Sequence, residues 1–115
     1  MKLPQMVSVL GKAYTIRIVK NNIITRISGY KKDEQLLGCC DYVRQLILLN
    51  EKMSFDIMLE TLLHELLHAL SKEFSGNVEL TETQVRTISV GLYDVLKHNE
   101  KIWKLIWNRG KNHDK

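Results

Sequence analysis

The sequence predicts one small α+β domain, with antiparallel strands and hairpins in its first half and helices in its second. Three observations carry this prediction. The 115 residues suffice for one hydrophobic core and are too few for two ordinary domains. Apolar residues recur at period two before residue 50 and at the helical period after it. The chain is 44% hydrophobic and 26% charged with a single Pro, which excludes collagen-like and low-complexity classes.

The elements follow in chain order. Val7–Leu10, Gly11–Lys12 and Ala13–Ile18 read as a hairpin, with Gly11 opening a type II′ turn and Tyr14, Ile16 and Ile18 on one face. Ile23–Ile27 reads as a further short strand that ends at Ser28-Gly29, and the polar run 31–35 as an exposed connection. Cys39–Tyr42 and Gln45–Leu49 form a second hairpin that turns near Tyr42-Val43-Arg44. At Ser54 the period changes. Ser54 caps a helix that has Asp56 in its first turn, runs to about Phe74 and stops at Gly76. Its apolar side chains, from Phe55 to Leu70, go almost all the way round, so this helix belongs in the middle of the domain.

Thr81 and Gln84 make a capping box for a second helix, whose stripe Val85, Ile88, Leu92, Val95 and Leu96 is read as core. Gly91 within it either permits close helix packing or weakens the helix. Ile102, Trp103, Ile106 and Trp107 mark a short last helix whose Trp pair is also read as core, and 108–115 reads as a flexible basic tail.

The formal net charge is +4, and six of the basic residues lie between Lys97 and Lys115. Such a segment can attract nucleic acid or an acidic protein, but a solvated helix end and frayed terminus is the preferred reading, and nucleic acid is not favoured. Cys39 and Cys40 are adjacent, a spacing that disulfide geometry rarely allows, and they are read as small side chains on a strand. No apolar run approaches the ~20 residues of a membrane span, and MKLPQMVSVL has no signal-peptide pattern, so a cytoplasmic protein without membrane contact is expected.

The segment that carries chemistry is His64-Glu65-Leu66-Leu67-His68. Histidines at i and i+4 stand one turn apart on one helix face, where both imidazoles can bind one Zn²⁺. Glu65, about 100° round the helix, stands beside the metal rather than on it. Composition alone predicts only about 0.01 such matches in the chain. Placing these groups on a Leu-rich helix is costly unless they are paired or bind a metal.

A catalytic zinc takes three protein ligands and one open position. The third can come from Glu79, Glu82, His98, His113 or Asp41. Glu82 is favoured, because it flanks the core stripe of the next helix and the linker before it is long enough to bring it back to His68. Glu79 and His98 come next. His98 and Glu82 cannot share one metal, being about 24 Å apart along a continuous helix.

TLLHELLHAL followed by LTETQVRTISVGLYDVL resembles the small zinc metallopeptidases of phages and prophages, and more broadly the ImmA/IrrE-type and minimal gluzincin peptidases. GCCDYVRQLILLN is similar to the strand region before their active-site helix, so the likeness extends from about Gly38 to Leu96. It implies a zincin-like fold, His64, His68 and Glu82 as zinc ligands, Glu65 as general base, and hydrolysis of specific proteins in a phage or bacterial cytosol. Some gluzincins carry an Asp four residues after the third ligand; here Arg86 stands there, leaving a backbone carbonyl or Asp41 to orient a histidine. Tyr30, Tyr42, Arg86 and His98 are the groups considered for stabilising an oxyanion, while Tyr93 is read as core. A different reading keeps the same fold as a catalytically weak or inactive module that contacts protein or DNA through its basic C-terminal region.

Overall fold

The computed structural model describes residues 2–29, 36–74 and 78–111. Strands β1 (Met6–Val9) and β2 (Lys12–Val19) are followed by helix α1 (Asn21–Ser28), strands β3 (Gly38–Asp41) and β4 (Leu46–Asn50), and helices α2 (Phe55–Glu73), α3 (Glu82–His98) and α4 (Glu100–Lys111). The α+β class is the one that the sequence predicts.

Both hairpins form, each with a turn whose chemistry is visible. β1 and β2 pair antiparallel with Val9 opposite Lys12, so the connecting residues are Leu10 and Gly11. Both have positive φ, 48° and 83°, which makes the turn type I′ rather than II′. The I′ twist matches that of the strands, and Lys12 is thereby free to join the ladder. In the second hairpin, Asp41 Oδ1 accepts the backbone N–H groups of Val43 and Arg44 at 3.1 and 3.0 Å.

The hairpins join through a parallel pair, β2 with β4, in register from Thr15↔Leu46 to Val19↔Asn50, giving the order β1-β2-β4-β3. A parallel pair needs a crossover, and the stretch Ile23–Ile27 serves it as helix α1, not as the strand predicted. Ile23, Ile24 and Ile27 have the i, i+1, i+4 spacing of a helix face, and Gly29 closes the last turn by donating its N–H to Thr25 O. Ile24 and Thr25 are buried against the sheet. Asn50, at the end of β4, ties the crossover down by donating to Asn21 Oδ1 and Leu36 O.

Helix α2 lies across the sheet, and no residue from Met58 to Ser71 is exposed. The core beneath it joins Val9, Tyr14, Ile16, Ile47 and Leu49 of the sheet to Met58, Leu62 and Ala69. Ser54 caps its start as predicted, accepting from Ile57 N. It ends at Glu73; the predicted stop, Gly76, lies outside the described residues. Tyr14 donates to Glu73 Oε2 at 2.6 Å and fixes that end to β2. Gly38 permits close approach: a Cβ there would stand 2.8 Å from Leu48 O and 3.0 Å from Thr61 Cγ2 of α2.

Helix α3 runs antiparallel to α2, with Glu82 against His64 and His68 and Tyr93 against Asp56. Of its predicted core stripe only Val85 is buried, together with Ser89; Ile88, Leu92, Val95 and Leu96 are exposed. The face that α3 turns to α2 carries Glu82, Val85, Ser89 and Tyr93, with Ile88 and Leu92 at its flank, while Val95 and Leu96 lie past Tyr93, beyond the start of α2 at Phe55. Tyr93 itself is half-buried and linked to Asp56, not core, and no group lies within 4 Å of a Cβ at Gly91, which rules out close packing there. Trp103 and Trp107 are 40% and 58% exposed, contrary to their reading as core. Residues 108–111 continue α4 instead of forming a tail, and 112–115 lie outside the described residues. Among the described residues no helix is long and apolar enough to cross a membrane.

Candidate metal centre

His64 and His68 project from the middle of α2, one turn apart, with ring centroids 4.9 Å from each other. The carboxylate of Glu82 reaches both: Oε1 stands 2.9 Å from His64 Nε2, and Oε2 stands 2.9 Å from His68 Nε2. Local sequence explains the placement of Glu82. The Thr81–Gln84 capping box is complete, with Gln84 N donating to Thr81 Oγ1 and Thr81 N to Gln84 Oε1, so Glu82 is held at the first residue of α3. Ser71 anchors the chain just before it, donating to Val78 O and accepting from Leu80 N. Ser71 was not singled out in the sequence; a lone helical serine has no local signal for a partner seven residues away.

These residues are the acidic, histidine or cysteine cluster with donor atoms close enough to hold a metal among the described residues, all within 4.8 Å of one another. Two imidazole nitrogens and one carboxylate oxygen are donor types that Zn²⁺ takes, so the chemistry of the group fits that ion. A tetrahedral ion with ligands at ~2.0–2.1 Å would hold them about 3.3 Å apart, so separations of up to 4.8 Å would have to contract on binding.

The other third-ligand candidates are elsewhere. Glu79 is exposed in the segment before α3, and His98 binds Asp94 O on its own helix. Asp41 is committed to its turn and to the Arg44 guanidinium, and so does not orient either histidine. His113 and Tyr30 lie outside the described residues.

Glu65 is 6% exposed, and burial, followed by the nearby Glu82 charge, pushes its carboxyl up to about 8. Burial likewise lowers His64 below its ordinary value, against the opposing pull of Glu82. Neutral imidazole is the form that a metal ligand requires.

All four residues line one cleft of about 1050 Å³, bounded by β3, the end of α1, and one face each of α2 and α3. Among the oxyanion candidates, Tyr42 and Arg86 line this cleft and His98 does not. Arg86 Nη2 is 3.9 Å from Glu82 Oε1, and Lys72 lies over the Tyr42 ring. Cys39 and Cys40 also border the cleft; burial raises their thiols to about 11 and about 12, which keeps them protonated near neutral pH. Ile27 and Ser28 wall the cleft because this stretch is helix α1 and not the strand that its sequence predicts. No protein-family model, curated protein or solved structure matches this chain.

Proposed function

We propose that this chain is a zinc-dependent metallopeptidase that hydrolyses peptide bonds in specific intracellular proteins. The observation that carries the reading is the convergence of His64, His68 and Glu82 beside a buried Glu65 in a single cleft. A histidine pair and a carboxylate could hold zinc for structural reasons alone, but structural sites usually take four protein ligands. Here three protein donors meet at the edge of a cleft, with a carboxyl group that is not one of them.

His64, His68 and Glu82 hold the metal in this reading. When bound, zinc supplies Lewis acidity, polarising a peptide carbonyl and making water nucleophilic near neutral pH. Glu65 takes a proton from the attacking water and returns it to the nitrogen of the leaving amine. Tyr42 and Arg86, which also line the cleft, are the groups that would donate hydrogen bonds to the developing oxyanion in this reading. The free thiols of Cys39 and Cys40 suit a reducing cytoplasm.

Metal content by plasma mass spectrometry of the dialysed, untagged protein tests the centre. About one zinc per chain is expected; no zinc even after reconstitution overturns the reading. Glu65→Gln separates catalysis from binding. It should keep the zinc and lose peptide hydrolysis by about 10²–10⁴-fold. A variant that cleaves as well as the parent would remove Glu65 as base.

A further inference from the structure

The residues of the proposed centre have local causes, but the distance between them does not. The i, i+4 spacing sets His64 and His68 on α2, and the Thr81–Gln84 box starts α3 at Glu82. Neither fixes where the start of α3 lies along α2, because a capping box joins residues of its own helix only. The hydroxyl of Ser71 makes that connection. Its Oγ donates to Val78 O at 2.8 Å and accepts from Leu80 N at 3.2 Å, across seven and nine residues of chain. One side chain near the end of α2 thus holds the returning segment at two backbone groups, just before Glu82. At 100° per residue Ser71 stands about 20° round the helix from His64, and about 60° round and about 4.5 Å along the axis from His68. From Leu80 to Glu82 the chain spans at most about 7 Å. A segment fastened at Ser71 therefore delivers Glu82 alongside His68, with its carboxylate 2.9 Å from both imidazoles.

We infer that Ser71 is a positioning residue that sets the third metal ligand against the other two, an inference that rests on the zinc reading of His64, His68 and Glu82. Position 71 lies on the face of α2 that carries both histidines, so two ligands and the clamp for the third share one helix. The other tie at the start of α3 is the buried side chain of Val85, and apolar burial is not directional. Hydrogen bonds are, and a hydroxyl that donates to one backbone group and accepts from another fixes the segment between them. The Glu82 side chain is 56% exposed, so burial does little to confine it, and its place follows from the backbone that carries it. Groups that orient a metal ligand are worth about 10–100-fold in metal affinity, and one that acts through two residues of backbone belongs at the lower end.

Zinc affinity of the full chain, measured by competition with chelators of graded strength, tests this. Ser71→Ala should bind zinc about 10-fold more weakly than the parent. Ala is the better helix former, so α2 keeps its own stability and the variant should fold. The decisive comparison is in a Glu82→Ala background, where a residue that acts through Glu82 has nothing left to position. There Ser71→Ala should change zinc affinity by less than about 2-fold. An equal loss in both backgrounds would make Ser71 a general prop of the fold and overturn the inference, as would undiminished affinity in the single variant. Amide exchange in chelator reads the clamp without metal: the Leu80 N–H should exchange about 10-fold faster in Ser71→Ala than in the parent. Unchanged exchange there means that the clamp does not hold the segment, whatever the zinc result. A parent that takes up no zinc overturns the metal centre itself, and this role of Ser71 with it.

Discussion

Glu65 is where burial has the clearest consequence for a single side chain. With its carboxyl raised from 4.5 to about 8, the folded metal-free protein binds one more proton than the unfolded chain between those values, so stability falls as pH rises through that window. His64 acts in the other direction only below its ordinary 6.5, where the unfolded chain takes up the proton that the folded one resists. Between pH 6.5 and 8 the Glu65 effect therefore stands alone and is worth on the order of 2 kcal/mol. Urea unfolding in chelator should show this decline in the parent and a flat profile in Glu65→Gln. Equal slopes in the two proteins would mean that Glu65 does not retain its proton in the fold.

At the scale of elements, the centre depends on how α2 sits on the sheet and how α3 begins. Gly38→Ala would press a methyl group against Leu48 O, a backbone atom that cannot turn aside, and against Thr61 of α2. A loss of about 1–3 kcal/mol is expected by thermal or urea unfolding, with weaker zinc binding as α2 shifts; an unchanged midpoint would show that the helix moves away freely. Thr81→Ala removes the acceptor for Gln84 N and should cost about 1 kcal/mol. Because Glu82 is the next residue, zinc affinity should fall as well, with Thr81→Ser recovering both. Loss of stability at full zinc affinity would show that Ser71 and the packing of Val85 suffice to place Glu82.

For the molecule as a whole, the three proposed ligands link the α2 layer to α3, which otherwise buries only Val85 and Ser89. Zinc should therefore act as a cross-link between poorly joined parts. At free zinc about 1,000-fold above its dissociation constant, stability should rise by about 4 kcal/mol, seen as an upward shift of the melt that chelator reverses. His68→Ala should abolish the shift. If the variant melts in zinc as the parent does, the metal is bound elsewhere.

Much of this was legible in the sequence because it rests on local periodicity and local hydrogen bonds. The HELLH spacing puts two imidazoles on one face of α2 whatever surrounds the helix, and the Thr81–Gln84 box starts α3 one residue before Glu82. Residues close in sequence also decide the two hairpins and the all-round apolar character of α2. What required the tertiary structure was everything set by where an element ends in space. Ile23–Ile27 is helical because β2 and β4 pair in parallel and need a crossover, a fact about two strands that are far apart in the chain. The stripe from Ile88 to Leu96 has a core pattern yet lies exposed, because α3 turns Val85, Ser89 and Tyr93 to α2 instead and its Val95 and Leu96 pass the end of α2 near Asp56. An apolar period tells which face a helix would bury; only the lengths and positions of its neighbours decide whether there is anything to bury it against.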